Sequence, residues 1–157
     1  MLLARKSCTL GGPWACDAAL PGGRLRPGES CVEAALREAW EEAWVHPAMV
    51  RVVGVGPLHS TSRGGVLVRP VVAVASGPLC PVPRQGEIDR VFWAPLWEVA
   101  GSRPAATRHP RGFTVEGVRL RDGTLVWGLT LRILRWLYSG LPVVLQGSTL
   151  EGASGEG

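Results

Sequence analysis

The stretch LPGGRLRPGESCVEAALREAWEEAWV, residues 20–45, decides the fold. Gly23 is followed after five residues by Glu29, after seven more by Arg37 and Glu38, and then by Glu41 and Glu42. Six fixed positions, each with a background frequency of roughly 5–7%, coincide on the order of once in ten million starting points. The spacing is therefore a signal.

Its physical sense is local. Ser30 followed by Glu33 is a capping-box start, and good helix formers follow it. On a helix from about Ser30 to Ala43, at about 100° per residue, Glu38, Glu41 and Glu42 fall within roughly 100° of arc. Val32, Ala35, Leu36, Ala39 and Ala43 form a neighbouring stripe of mostly small residues, suited to packing against a sheet. Three carboxylates on one face repel one another unless positive charge sits among them. Arg37, one turn before Glu41, supplies part of that charge, and a divalent cation would supply the rest. Oxygen ligands that are mostly carboxylate favour Mg²⁺ or Mn²⁺ over zinc. A merely solvated acidic face is the plainer reading. Against it stands the preceding loop, whose Gly22 and Gly23 let backbone come close to the helix and to phosphate or metal.

These residues resemble the Nudix box, Gly-x5-Glu-x7-Arg-Glu-U-x-Glu-Glu-x-Gly-U, where U is a bulky aliphatic residue. Gly23, Glu29, Arg37, Glu38, Glu41, Glu42 and Val45 match it. Ala39 is small for the first U position, and Trp44 stands where the box has its last glycine. That glycine closes the helix in the left-handed conformation, so Trp44 implies a different exit or strain of about 1 kcal/mol. The resemblance implies Mg²⁺- or Mn²⁺-dependent hydrolysis of a phosphoanhydride bond. In that chemistry Glu38, Glu42 and the Gly22 carbonyl are metal ligands, and Glu41 ligates directly or through water. Glu41 is the first choice for deprotonating the attacking water. Arg37 pairs with a box carboxylate such as Glu29 and holds the loop to the helix. Glu87, before a later strand, is the candidate for a further catalytic carboxylate, with an exposed loop glutamate as the alternative. Arg5, Arg63 and Arg69 are candidate ligands of the substrate phosphates, although a hairpin-loop arginine such as Arg63 is more often solvated.

Segments outside the box are similar to the coenzyme A pyrophosphatase-like members of that family. They are Leu2-Leu3-Ala4-Arg5-Lys6-Ser7 (family pattern Leu-Leu-Thr-x-Arg-Ser), the run Thr61-Ser-Arg-Gly-Gly-Val-Leu-Val-Arg-Pro-Val-Val, Glu87-Ile-Asp-Arg-Val-Phe-Trp-Ala-Pro-Leu, and Val126-Trp-Gly-Leu-Thr. Coenzyme A or a derivative is thus the expected substrate. ADP-ribose, dinucleoside polyphosphates and nucleoside triphosphates are the alternatives, and a non-catalytic nucleotide-binding module is a further one. One segment departs from the subfamily. Where its members have Gly-Gln-(aliphatic)-x-Phe before Pro-Gly-Gly, this chain has Ala15-Cys-Asp-Ala-Ala-Leu.

The rest of the chain is consistent with a single domain over residues 1–140 and a tail over 141–157. At 157 residues and 46% hydrophobic content, the chain is long and apolar enough for one core. No apolar run reaches transmembrane length, and the start is too short in its apolar part for a signal peptide. Cys8, Cys16, Cys31 and Cys80 show no Cys-x-x-Cys pairing, so they are expected to be reduced thiols of a cytoplasmic protein. The net charge of +4 comes almost wholly from scattered arginines, which suits an anionic small molecule. No aromatic-interleaved RNA motif accompanies them, so nucleic acid is not expected as a partner.

Strands are expected at residues 2–5, 49–56, 66–75 with a break at Pro70, and 88–94. Residues 8–19 read as a loop and a short strand, 58–65 as a hairpin loop, 77–86 as a proline-rich connection, and 95–99 as a short helix or turn. Residues 101–112 read as a basic loop. Residues 113–120 and 125–127 pair across Asp122-Gly123. Leu125, Leu129, Ile133 and Leu137 mark a C-terminal helix, and residues 147–157 are expected to be disordered. Trp93 and Trp97 are expected in the core, and Trp40 and Trp44 against a neighbour or dimer partner. His46, His59 and His109 read as bystanders. Strands alternating with two helices give an α/β/α sandwich. The resemblance implies the same, with a mixed sheet, a catalytic loop–helix and a C-terminal helix. The resemblance implies a further strand before this point, so either the chain begins late or the sheet edge is completed differently; dimers are common in the family, which makes a homodimer one candidate.

Overall fold

A computed structural model describes the chain except for Leu10, residues 62–64, Gln85 and residues 151–157; for residues 141–150 it describes the backbone only. The box helix forms where the capping signal puts it. Helix α1 spans Cys31–Ala43. Ser30 accepts from the Glu33 N–H, while the Glu33 carboxylate accepts from the Ser30 N–H. Ahead of it, β1 (Leu2–Lys6) pairs antiparallel with β2 (Ala18–Ala19) on one side. On the other side it pairs with β7 (Ile88–Trp93). After α1, a 3₁₀ turn (Pro47–Met49) leads into β3 (Val50–Val55), which pairs with β6 (Val71–Ala75). Between them β4 (His59–Ser60) and β5 (Leu67–Val68) form a small hairpin. The break expected at Pro70 separates β5 from β6, and the buried Pro70 still accepts a hydrogen bond from the Gly56 N–H at 2.8 Å.

Helix α2 (Leu96–Ala100) follows β7, then β8 (Ala105–Arg108), β9 (Thr114–Arg119), β10 (Leu125–Trp127) and α3 (Gly128–Leu150). β9 pairs with both β8 and β10. Of the mixed sheet expected, the pairs hydrogen-bonded among the described residues are antiparallel. Helix α1 packs against β6, and α3 against β3, which is the helix–strand–helix layering of an α/β/α sandwich. The main core joins Leu3, Ala18, Val118 and Val126 from the strands, and Leu120 just past β9, to Val99 of α2 and Leu131 and Leu134 of α3. Among the described residues no helix is long and apolar enough to cross a membrane.

Several expectations need correction. Cys8 and Cys16 form a disulfide rather than two reduced thiols, leaving Cys31 and Cys80 free. The basic loop at 101–112 contains β8, because β9 supplies hydrogen-bonding partners that the apolar pattern does not announce. Leu125 lies in β10, so the helix starts at Gly128. α3 runs past residue 140 to Leu150, through the segment expected to be tail, while 151–157 lie outside the described residues. Trp93 and Trp97 are half exposed, at 51% and 55%. Strand alternation explains the first: Phe92 packs on the core, so its neighbour points away. Trp97 lies instead under the Arg121 guanidinium, 5.6 Å from the ring centroid.

Gly117 is where the three-stranded β8–β9–β10 sheet tolerates no side chain. A Cβ there would lie 2.9 Å from the Val126 carbonyl oxygen and 2.9 Å from Leu125 Cδ1. The carbonyl belongs to the paired strand and cannot withdraw without opening the hairpin. Gly117→Ala is expected to cost about 1–3 kcal/mol, read as a lower urea midpoint; a midpoint equal to wild type contradicts this packing.

Candidate active site

One arginine organises the site. The Arg37 guanidinium grips Glu29 with two bonds, Nε to Oε1 at 2.7 Å and Nη2 to Oε2 at 3.1 Å. It also donates to Glu38 at 2.6 Å, to Glu41 at 3.3 Å and to the Arg24 carbonyl at 3.0 Å. The loop before the helix is thereby folded back on the helix face. Glu29 accepts the Arg26 N–H as well, at 2.8 Å. These donors favour the ionised carboxylate, first Arg37 and then the Arg26 amide, and hold Glu29 down from 4.5 to about 2. The same bonds raise Arg37 above its ordinary value.

Gly23 explains the fixed glycine of the loop. A Cβ there would lie 2.5 Å from the Glu38 carboxyl carbon, so the carboxylate occupies the space a side chain would fill. Gly22 meets the site through its amide, which donates to Glu42 Oε2 at 3.0 Å. Glu42 also accepts from Lys6 Nζ at 2.8 Å, and Lys6 lies 3.5 Å from Glu87 Oε2. Lys6 comes from the end of β1, where the β1–β7 register shifts between Arg5 and Lys6. Such bulges re-aim side chains. The Ser7 N–H then binds the Glu87 carbonyl at 2.7 Å and keeps the two strands together there.

Glu38, Glu41, Glu42 and Glu87 therefore line one cleft of about 220 Å³, with Arg84 and Ile88. Arg37 stands at its base as the organiser. Arg5, in contrast, pairs with Asp89 at 2.9 Å. Arg69 is exposed between β5 and β6, and Arg63 lies outside the described residues. The cations at the cleft are Lys6, Arg26 (3.1 Å from Glu41) and Arg84. Sequence reasoning missed these three. For Lys6 a signal existed, since it is the sole lysine and stands at the arginine of the Leu-Leu-Thr-x-Arg-Ser pattern. Arg84 sits in the proline-rich connection, which has no periodicity to read.

The donor set fits a hard divalent ion: carboxylate oxygens lining one cleft, with Gly23 leaving room for that of Glu38. Among the described residues no three potential ligands converge closely enough to hold an ion as they stand, and Glu38, Glu41 and Glu42 each lean on a cation instead.

His109 is absent from the lining of the acidic cleft, as expected, but it has a structural place. It is 2% exposed, stacks on Phe113, and contacts Asp17 at 2.8 Å. Its Nδ1 accepts the Arg111 N–H, so the proton sits on Nε2 and is donated to Asp17. Trp127 Nε1 donates to the same Asp17 oxygen at 3.1 Å. This buried cluster clamps the segment before Pro21 to β10.

The exit of α1 keeps the box geometry despite the missing glycine. Trp44 has φ 56° and ψ 32°, and the N–H of Val45 reaches the Ala39 carbonyl at 3.2 Å. That is the ordinary glycine closure made by a tryptophan, at a cost of about 1 kcal/mol.

An α/β/α sandwich carrying a glycine loop and an acidic helix at one cleft narrows the class, and comparison with known proteins gives the family. Residues 1–115 match the family model described as the NUDIX domain. The chain belongs to the Nudix family. It is 33% identical to a protein of Photorhabdus laumondii and 36% identical to one of Pectobacterium atrosepticum, both described as uncharacterised Nudix hydrolase NudL. Those alignments cover 87% of this chain and 74% and 72% of the relatives. Among solved structures, the NUDIX domain of Shewanella oneidensis NrtR, complexed with ADP ribose, is similar with a TM-score of 0.55 at 18% identity. That match covers 89% of this chain and 76% of that one. A C. elegans Ap4A hydrolase is similar with a TM-score of 0.50 at 22% identity, over 60% of this chain and 67% of that one. Both likenesses speak to the fold.

The Glu29 shift makes a prediction about acid. A carboxyl whose folded value is depressed contributes its stability above its unfolded value, and loses it as pH falls through the folded one. The stability gap between wild type and Glu29→Gln, read from urea midpoints, should be constant above pH 4.5 and close as pH falls towards 2. A gap that does not change with pH would mean that the Arg37–Glu29 pair does not depress Glu29.

Proposed function

We propose that this Nudix domain is a Mg²⁺- or Mn²⁺-dependent hydrolase that cleaves the phosphoanhydride bond of a nucleoside diphosphate-linked substrate, coenzyme A or a derivative. The observation that carries it is that Glu38, Glu41, Glu42 and Glu87 line one cleft, with Glu38 set against Gly23. Glu38, Glu42 and Glu41 would hold the divalent ion, with Glu87 facing them from the loop before β7. When bound, the ion neutralises the crowded carboxylates and polarises the phosphate oxygens.

The chain's own groups supply the rest. Glu41, with 39% of its side chain exposed, is the most accessible of the three helix carboxylates and takes the proton from the attacking water. Arg37 holds Glu29 and Glu38, and so fixes the loop on which Gly22 and Gly23 lie. Lys6 steadies Glu42 at the opposite wall. Arg84 brings a guanidinium to the cleft edge, where it can meet a phosphate bidentately. Arg5, held by Asp89, would reach a phosphate only by leaving that pair, and Arg69 offers an exposed guanidinium beyond β5.

The coenzyme A assignment is supported by the four similar segments outside the box. The departure before Pro21 does not count heavily against it. Asp17, at the place of the subfamily glutamine, is buried and engaged by His109 and Trp127. Its change alters an internal bond and not one of the residues lining the acidic cleft. Cys16, at the place of the glycine, keeps a positive φ of 68°.

Product analysis with Mg²⁺ or Mn²⁺ on coenzyme A, ADP-ribose, a dinucleoside polyphosphate and nucleoside triphosphates tests the reading. Coenzyme A should yield 4′-phosphopantetheine and adenosine 3′,5′-bisphosphate. Glu41→Gln should lower kcat by roughly 10²–10⁴-fold, the range for a lost general base, with the urea midpoint near wild type. Preference for another member of the panel moves the substrate. No turnover of any member, with metal bound, removes the hydrolase reading.

A further inference from the structure

The edge of the acidic cleft continues into a second, wider hollow of about 600 Å³, lined by Glu41, Trp44, Pro83 and Arg84. Glu41 and Arg84 line both hollows, so the two are contiguous. We infer that Trp44 and Arg84 form the shelf on which the nucleobase of the substrate stacks, a reading that rests on the phosphoanhydride chemistry proposed for the adjoining cleft.

Three observations carry it. Trp44 is 49% exposed although it carries one of the largest apolar surfaces in the chain, and the Arg84 guanidinium lies 5.2 Å from its ring centroid. With the guanidinium over the indole and half of Trp44 still open to solvent, the pair offers a π surface and a stacked planar cation, the two groups that planar bases and phosphates use. The shelf is also built rather than incidental. The Val82 N–H binds the Ala43 carbonyl at 3.2 Å and the Arg84 N–H binds the Glu42 carbonyl at 3.3 Å, so the proline-rich strap is tied to the last turn of α1. Trp40 braces the indole from within the helix, ring centroids 5.0 Å apart. Finally, Trp44 holds a left-handed backbone that favours glycine, and bulky residues persist in such positions chiefly at functional sites. A residue kept only for packing would not stand half exposed, in a strained conformation, at the mouth of the acidic cleft.

A nucleoside diphosphate spans a phosphate pair and a base joined through a ribose. With the phosphates held at Arg84 and at the ion that Glu38, Glu41 and Glu42 would carry, the adjoining hollow is where the base falls. Selectivity should be for a planar ring at that end and weak for the identity of the ring, because stacking reads a face and not an edge.

The test is a titration of the full chain, labelled with ¹⁵N at the tryptophan indoles, with AMP and with ribose 5-phosphate in the presence of Mg²⁺. AMP should move the indole signal that disappears in Trp44→Phe, and ribose 5-phosphate should leave it in place. Trp44→Gly, which relaxes the backbone, should fold with an undiminished thermal midpoint and bind AMP about tenfold or more weaker. Its affinity for ribose 5-phosphate should be unchanged, and Trp44→Phe should restore most of the AMP affinity. An AMP affinity unaltered in Trp44→Gly, or no shift of the Trp44 signal up to millimolar AMP, overturns the shelf. So does a change in self-association with AMP affinity intact, which would assign the indole to a second copy of the chain.

Failure here is separable from failure of the hydrolase reading. AMP bound through Trp44 with no member of the substrate panel hydrolysed sinks the hydrolase and keeps the shelf. Hydrolysis with the same KM in wild type and Trp44→Gly does the reverse.

Discussion

The Arg37–Glu29 pair is the constraint on which the site depends. Glu38, Glu41 and Glu42 crowd one helix face, and Coulomb repulsion would splay them or fray the helix if no cation lay among them. A guanidinium suits this place because its donors form a planar fork. Arg37 spends that fork on three carboxylates and one carbonyl. Both members of its pair with Glu29 are largely buried, with side-chain exposures of 15% and 13%. Removing one partner therefore strands the other away from water, which costs far more than losing a surface pair. An ammonium could hold one carboxylate but not the loop and helix together. The loop glycines, the position of Glu38 and the opening of the cleft all follow from this one side chain.

The remaining cations are held less tightly, and that difference matters. Arg26 is 60% exposed where it meets Glu41, and exposed pairs of this kind contribute little. Lys6 is more enclosed, at 21%, and anchors Glu42 with the help of the Gly22 amide. Glu41 can thus be freed from Arg26 at small cost and keeps its longer bond to Arg37, at 3.3 Å, while Glu38 and Glu42 stay where Arg37 and Lys6 put them. This gradation suits the proposed role of Glu41 as the carboxylate that exchanges a proton.

What could be read in the sequence was what local spacing determines. Ser30 and Glu33 state the helix start, Asp122-Gly123 states the hairpin turn, and Pro70 states the break between β5 and β6. The missed features depend on partners distant in the chain. Nothing in the separation of Cys8 and Cys16 announces a disulfide; the bond forms because the Lys6 carbonyl accepts the Cys16 N–H and returns the chain to the end of β1. Ala105–Arg108 becomes a strand only because β9 lies beside it. Leu125 shares the four-residue spacing of the helix but is claimed by its pairing with Arg119. Trp93 is apolar but takes the outward place in the alternation of β7, next to Phe92, which packs on the core. The acidic half of the site was legible because it lies on one helix. Its basic half comes from β1, the box loop and the strap, and tertiary structure alone unites them.

The substitution at the end of the box shows how backbone and function are coupled here. Val45 is buried, and its N–H closes α1 on the Ala39 carbonyl, so the chain must turn at residue 44 through the left-handed region whatever side chain stands there. Glycine would meet that demand without strain. Tryptophan meets it at a cost, and its contacts with Trp40 and Arg84 offset only part of it, since half the indole still faces solvent. The turn is imposed by the helix and the strap is tied to the carbonyls of Glu42 and Ala43. The indole is therefore fixed relative to Glu41, one turn back on the same helix. A large aromatic surface held at a set distance from the acidic cleft is poor economy for stability alone. It is good geometry for a ligand that has charge at one end and a flat ring at the other.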